Sequence, residues 1–216
     1  LTASTEYGFS IVRFTVGSAP YTVAHGLGQA PAMIVLKSIT NNSTNWNVYH
    51  QSTGNQSRSY LNLDLTASTG SNAFNSTSPT SEVFSMGTSG EFAGDMIAYC
   101  WSEISGVSKF GSYSGSSSDV TVTTGFKPAF LLIKCTSTAG QEWIVKNIKS
   151  GGDQYLQTQA NTAETAGRDV TFHSDGFTLA SNQGPTNYQG RTYLYAAFAY
   201  RPGNDWTPSN LSVVET

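Results

Sequence analysis

The sequence predicts an all-β protein made of two tandem, similar antiparallel β-sandwich units, jelly-roll-like and related by a pseudo-twofold axis, with very little helix. Three observations predict this class. The chain repeats itself, its apolar residues alternate with polar ones over short segments, and clusters of Gly, Asn and Ser separate those segments. No stretch shows the apolar spacing of an ordinary amphipathic helix.

The repeat is visible without gaps around two prolines. Three residues of the first copy recur in the second at one constant offset, as Pro31/Pro128, Lys37/Lys134 and Trp46/Trp143. This self-similarity predicts a first sandwich over 1–105, a second over 106–202 and an extended C-terminal tail over 203–216. Two separate sandwiches and one larger pseudo-twofold sandwich both agree with the pattern.

The strand signals are short and of two kinds. Val12, Phe14 and Val16 alternate with polar residues, which is typical of a strand with one buried face. Other segments are continuously apolar and indicate central strands that are covered on both sides. These segments are 33–36, 96–101, 130–133 and 193–200.

The composition limits the partners. Charged residues make up 12% of the chain, against about a quarter in typical soluble domains. A net charge of -3 provides no basic stripe, so we expect neither nucleic acid nor an anionic membrane as a partner. No apolar run is long enough to span a bilayer.

Because the sequence starts at Leu1 rather than Met, we expect a fragment, a processed product or part of something longer.

The two cysteines are not repeated. At the matching positions of the other copy, Ala197 stands in place of Cys100 and Ser38 in place of Cys135. A duplicated disulfide framework would have left paired cysteines in each unit. The pattern favours two buried, reduced thiols, and one bridge between the copies is the alternative.

No catalytic or metal-binding motif is present in the sequence. The three histidines, His25, His50 and His173, have no HxxxH, HxH or CxxC spacing around them. Since the second copy lacks an imidazole at the position of His25, we expect a structural or surface role for that residue. The sequence therefore predicts no enzyme, no metal and no cofactor, although a glycosidase carboxylate pair from separate strands stays open.

The aromatic residues divide into repeated and unrepeated ones. Trp46 and Trp143 recur at one position of an apolar strand, so we expect both to lie in the core rather than in a ligand platform. Tyr113, Tyr188 and Trp206 have no counterpart and lie in Ser-, Gly- and Asn-rich sequence, which is typical of binding loops. They are the candidate binding residues, and packing under a loop is the alternative.

The ordered motifs also resemble a known family. Residues Gly8 to Pro202 carry GFSIVRF, HGLGQAP, NWNVYH, YCWSEISGVSKFGSYSG, TGFKPAFLLIK, HSDGFTL and RTYLYAAFAYRP. This series resembles a repeat domain in structural proteins of marine and cyanobacterial tailed phages, often tail fibres or tail-associated proteins. The segment that joins the two copies is the most specific part, and its Trp101 stands where the family usually has an aromatic residue.

The resemblance implies a virion protein that contacts the host surface and carries no known catalytic residues. Its implied partners are other virion proteins, a host-surface glycan or protein, and further copies of itself, with a trimer favoured. A capsid decoration or head-fibre protein and a carbohydrate-binding module are the alternatives. A polysaccharide depolymerase is less favoured, because such tail enzymes usually have β-helical repeats of much shorter period.

Overall fold

The computed structural model describes residues 1–17, 20–69 and 73–200. All the regular secondary structure in these residues is β-strand. The strands form sheets of seven, five, three and two strands. All strand pairs within them are antiparallel. The predicted all-β, sandwich-type class is therefore confirmed, whereas the predicted tail over 203–216 lies outside the described residues.

The first half of the chain forms the first large sheet, of order β1-β2-β9-β4-β5-β6-β7, and a small sheet of β3 and β8. The strands are β1 (Thr2–Ser4), β2 (Phe9–Thr15), β3 (Tyr21–Ala24), β4 (Met33–Ser38), β5 (Asn47–His50), β6 (Ser57–Tyr60), β7 (Ser68–Thr69), β8 (Val83–Met86) and β9 (Asp95–Trp101).

The second half forms the second large sheet, of order β10-β17-β12-β13-β14, and a small sheet of order β11-β16-β15. The strands are β10 (Ser108–Ser114), β11 (Val120–Thr123), β12 (Pro128–Cys135), β13 (Trp143–Asn147), β14 (Leu156–Gln157), β15 (Val170–Phe172), β16 (Gly176–Leu179) and β17 (Thr192–Ala199).

The strand order of the two halves agrees. When strands are matched by their place in the chain, β2-β9-β4-β5-β6 of the first large sheet corresponds to β10-β17-β12-β13-β14 of the second. The small sheets pair β3 with β8 and β11 with β16 in the same way. This order agrees with a repeat, and the domain bounds 1–105 and 106–202 stay a prediction.

Both faces of each large sheet are buried in its central strands. In β4, Ile34 and Leu36 face a first core that reaches the small sheet of β3 and β8. Because neighbouring side chains of a strand point to opposite faces, Met33 and Val35 face the other way. They meet Leu132 of β12 and other second-half residues in a middle core between the two large sheets. The continuously apolar segments of the sequence are thus central strands, covered on both sides except at a few residues such as the exposed Phe130.

The second half has its own core between its large and small sheets. It contains Leu131, Ile133 and Phe177, so β12 also contributes alternate residues to two cores. Cys100 is buried in the first core and Cys135 in the second, and neither forms a disulfide. The expectation of two buried, reduced thiols is confirmed.

Hydrogen bonds tie the two large sheets to each other across the middle core. The His50 imidazole lies 3.1 Å from the Tyr195 carbonyl oxygen, and the Trp143 indole donates to the Tyr60 carbonyl at 2.8 Å. The Gln51 side chain donates to a backbone carbonyl of β10 at 2.8 Å. The bonds of His50 and Trp143 pair polar groups that the contact buries, and all three bonds fix the position of one half against the other.

Candidate binding cleft

An apolar cleft of about 380 Å³ opens between the two large sheets beside the middle core. Its volume falls in the range of about 300–1,000 Å³ that is usual for ligand pockets. The first half lines it with Met33, Val35, Trp46, Leu61, Tyr99 and Trp101. The second half lines it with Phe130, Leu132, Val145, Thr158, Ala196 and Phe198.

One wall of the cleft is a row of stacked rings. Tyr99 and Trp101 lie two residues apart in β9, so their side chains share a face of the sheet. The Tyr99 ring stacks on Trp46 at a centroid distance of 6.4 Å and on Trp101 at 6.3 Å. Phe9 extends the row at 5.1 Å from Trp101. The result is a broad, rigid aromatic surface that needs little side-chain ordering to bind a partner.

The opposite wall is built on β12 and β17. Phe130 and Phe198 are Cα partners of the strand pairing, and their ring centroids lie 5.9 Å apart. Phe110 makes an edge-on contact with Phe198, with the two ring centroids 5.8 Å apart. Phe130 is 37% exposed, which is unusual for a ring of this size and marks the rim of the cleft.

The amide and hydroxyl groups at the mouth are already hydrogen-bonded within the chain. Asn62 accepts the Trp46 backbone N–H at 2.9 Å and donates to the Asn45 side-chain oxygen at 2.9 Å. The Thr158 hydroxyl donates to the Leu61 carbonyl. A bound group therefore meets mainly carbon surface, and the cleft is suited to an aromatic or aliphatic side chain.

The two repeated tryptophans have different surroundings. Trp143 is fully buried in the middle core, as expected. Trp46 is only partly buried, because it precedes the first residue of β5 and stands at the cleft mouth with Leu61, Asn62 and Thr158. The expectation of a core residue holds only in part for Trp46, which packs against the middle core and also lines the open side of the cleft.

Tyr113 lies in a strand rather than in the expected loop. It belongs to β10 and pairs with Tyr193, on whose ring it stacks at 5.1 Å. Its hydroxyl donates to the Thr186 carbonyl at 2.5 Å, and burial raises its pKa well above the ordinary value for tyrosine. Tyr113 is thus a packing residue of the second half. The sequence around it does not show this, because its strand partner comes from a distant part of the chain.

Tyr188 remains exposed, at 45%, in the segment between β16 and β17. The guanidinium group of Arg191 lies over its ring at 4.6 Å from the centroid. Hydrogen bonds bring this segment to the end of β10, near Tyr113, and neither tyrosine lines the cleft. Trp206, the third candidate, lies outside the described residues.

The buried histidines serve the scaffold. The Leu27 N–H donates to Nδ1 of His25, so Nε2 carries the proton and donates to the Thr80 carbonyl at 3.1 Å. Likewise the Ser52 N–H donates to Nδ1 of His50, so Nε2–H donates to Tyr195. Burial lowers the pKa of His25, and it lowers the pKa of His50 to about 4. Both rings are neutral structural links at ordinary pH.

The sequence does not predict most of the cleft lining. It places Tyr99, Trp101, Phe130 and Phe198 in apolar central strands, without indicating that their rings meet at a cleft. The available signal was the repeated placing of large rings at alternate positions of such strands, which predicts that the second face is also aromatic. The side on which the cleft opens depends on how the two halves meet, and no local pattern encodes that.

Within residues 1–17, 20–69 and 73–200, no group of three or more His, Cys, Asp or Glu side chains is placed to hold a metal ion. The same residues contain no helix long and apolar enough to cross a membrane.

Searches among curated proteins and among solved structures find no match to the chain. One family does match, a domain of unknown function (DUF7483), over residues 1–202. The chain therefore belongs to the DUF7483 family.

Proposed function

We propose that the chain is a non-catalytic structural and adhesive module of a tailed-phage particle, in a tail fibre or a tail-associated protein. The cleft between the large sheets is its attachment surface, and it holds an apolar segment of another virion protein. The observation that carries the proposal is the preformed cleft with its row of Trp46, Tyr99 and Trp101. The sequence resemblance described above supplies the biological setting.

The chemistry of the lining favours a polypeptide side chain over a sugar. A glycan has hydroxyl groups on its edges and needs hydrogen-bonding partners around an aromatic platform. At this mouth, the Asn62 side chain already accepts the Trp46 backbone N–H. The Thr158 hydroxyl already donates to the Leu61 carbonyl, so its proton is not available to a sugar. An aromatic or aliphatic side chain gains more here, since burial of apolar area contributes about 25 cal/mol per Å².

The fixed geometry of the walls also suits an assembly role. The two walls come from different halves, and the links from His50 to Tyr195 and from Trp143 to Tyr60 hold them together. A preformed site loses little conformational entropy when a partner binds. We further propose that the module is a homo-oligomer in the particle, with a trimer favoured, which light scattering of the purified chain would test.

The exposed ring of Tyr188 lies away from the cleft and is free to serve a second contact, with the host surface. We assign the proposed adhesive role to Tyr188, because a rigid, exposed ring beside Arg191 on a segment between strands is typical of recognition surfaces. The attachment role and the host-contact role are therefore assigned to different residues and can be tested separately.

The test compares two exposed rings in phage that carry Phe130→Ser or Tyr188→Ser. We expect Phe130→Ser to reduce the amount of the chain in purified particles, measured by quantitative mass spectrometry, and Tyr188→Ser to leave that amount unchanged. Tyr188→Ser should instead slow adsorption to host cells. Both variants change an exposed ring to the same small polar residue, so general surface effects are matched.

Several outcomes would replace this proposal. A chain that is missing from wild-type particles would remove the virion role, and a copy number equal to that of the capsid protein would favour a capsid decoration. Retention of the chain in particles together with loss of glycan binding in Phe130→Ser would favour a carbohydrate-binding module. Release of reducing ends from host polysaccharide that disappears on mutating one Asp or Glu would favour a depolymerase.

A further inference from the structure

The segment that leads into the last strand of each half differs in length between the halves. In the first half eight residues, 87–94, join β8 to β9, and in the second half twelve residues, 180–191, join β16 to β17. Phe92 of the shorter segment is buried in the first core, whereas the Tyr188 ring of the longer one is 45% exposed. The second half therefore has additional chain that presents a ring to solvent.

Buried polar contacts hold the longer segment in place. Asn187 is fully buried, and its side chain accepts the Ser116 backbone N–H at 2.8 Å and donates to the Ser118 carbonyl at 2.9 Å. A Cβ atom at Gly115 would lie 2.1 Å from the Tyr188 carbonyl oxygen, so the close contact between this segment and the end of β10 requires glycine. Tyr188 thus stands on a fixed base, which reduces the entropy lost when a ligand binds.

The guanidinium group of Arg191 is fixed beside this ring. It lies over Tyr188 at 4.6 Å from the ring centroid and donates to the Gly184 carbonyl at 3.0 Å. The Tyr193 hydroxyl also lies beside it, and donors remain among the five N–H groups of a guanidinium. The ion pairs between described residues do not include Arg191, and Asp119 accepts a backbone N–H of the segment instead. Arg191 is therefore a positioned cation whose charge is unpaired within the described chain.

We propose that Tyr188 and Arg191 bind a carboxylate-bearing sugar of a host-surface polysaccharide. The proposal rests on the proposed function in one respect, since it takes Tyr188 as the host contact. The apolar C–H face of the sugar packs on the exposed side of the ring, and the carboxylate accepts charge-assisted hydrogen bonds from the guanidinium group. The exposed amide of Gln189 is a further partner for the sugar hydroxyls. The two main contacts recognise negative charge and a flat apolar face, so they accept sugars of different stereochemistry.

The surroundings of the ring favour a sugar over a protein surface. Gln189 and Gly190, which follow Tyr188, are exposed and are polar or small. A stable protein interface needs a buried apolar core, and this segment offers a single ring. A sugar needs only that ring, a cation and a few hydrogen-bonding groups, and all of these lie within 188–191.

The first experiment is a nuclear magnetic resonance titration of the full isotope-labelled chain with trigalacturonate and with its uncharged methyl ester. We expect saturable shifts at Tyr188 and Arg191 with the acid, and binding about tenfold weaker with the ester, because the ester lacks the charge that pairs with the guanidinium group. Arg191→Gln should weaken binding of the acid about tenfold. The matched control is Lys127→Gln, since Lys127 also lies over an exposed ring, that of Tyr200, and this variant should bind as the wild type.

Three results would overturn the proposal: equal binding of the acid and the ester, no saturable binding of either, or a loss in Lys127→Gln as large as that in Arg191→Gln. Arg191→Lys keeps the charge without the planar fork and should recover part of the lost affinity. If Arg191→Gln changed the backbone resonances of 180–191 in the free chain, the difference between acid and ester in the wild type would decide the question alone.

Adsorption of phage to host cells separates this inference from the proposed function. If Tyr188→Ser slows adsorption while neither form of the sugar binds, the host contact stands and the sugar ligand is wrong, in favour of a protein receptor. If the acid binds through Arg191 while Tyr188→Ser and Arg191→Gln phage adsorb normally, the sugar site stands and its role in host attachment is wrong. We expect trigalacturonate, and not its ester, to slow adsorption of wild-type phage.

Discussion

The two halves share a strand order, yet the repeated tryptophans have different surroundings. Trp143 lies wholly inside the middle core, where its indole donates to the Tyr60 carbonyl of the other half. Trp46 lies at the mouth of the cleft and stacks on Tyr99. The position in the repeat is the same, and the contact with the opposite half decides whether the ring is buried. The difference shows that the halves do not meet symmetrically, and the cleft lies where they separate.

The repeated lysines show the same contrast within a shared role. Lys37 donates to the Thr44 carbonyl at 2.6 Å, and Lys134 donates to the Gln141 carbonyl, so each ammonium group holds the loop after its own strand. Lys134 is fully buried, and burial lowers its pKa to about 8. The scaffold role is thus kept in both halves, while the degree of burial follows the packing around each half.

Truncation of the two tryptophans should give the largest contrast. We expect Trp143→Ala to lower the free energy of unfolding by about 3–5 kcal/mol, through lost burial and the cavity that remains. Trp46→Ala should cost about 1 kcal/mol, because its ring is already partly in solvent. Chemical denaturation of both variants measures this, and equal losses would contradict the asymmetric placement of the halves.

Acid should weaken the link that His50 makes between the halves. The pKa of His50 falls from 6.5 to about 4 on folding because the ring is buried, so between these values the unfolded chain binds more protons. Stability is therefore lost as pH falls below about 6.5, and the loss approaches about 3 kcal/mol below pH 4.

The matched variant for this prediction is His50→Asn, since Asn147 stands at the corresponding position of the second half. The difference between the unfolding free energies at pH 7 and at pH 4.5 should be smaller in the variant than in the wild type. The difference that remains in the variant includes the contribution of His25, because burial also lowers its pKa. Parallel pH profiles for the two proteins would mean that His50 is not the acid-sensitive link.

The cysteines should give the smallest effect. The second half has Ala197 where the first has Cys100, so Cys100→Ala should cost about 1 kcal/mol or less. Burial raises the pKa of the Cys100 thiol to about 12, and we expect it to react with a thiol reagent only after unfolding. Rapid labelling of Cys100 in the folded chain would show that the first core opens locally.

The fold could be predicted from the sequence further than the site could. Period-two patterns and the repeat depend on neighbouring residues, so the strand class and the buried place of Trp143 followed from them. The Ser- and Gly-rich sequence around Tyr113 predicts a loop, whereas Tyr113 lies in a strand whose partner, Tyr193, is far along the chain. The cleft needed the packing angle of two sheets, which no single segment specifies.

We propose that the cleft, rather than the segment that carries Tyr188, attaches the chain to a phage particle. Photo-crosslinking tests it directly, with a benzophenone amino acid placed at Phe130 or at Tyr188 in assembled phage and the products identified by mass spectrometry. We expect position 130 to crosslink to another virion protein and position 188 to give no such crosslink. Crosslinks to virion protein from position 188 and none from position 130 would contradict it.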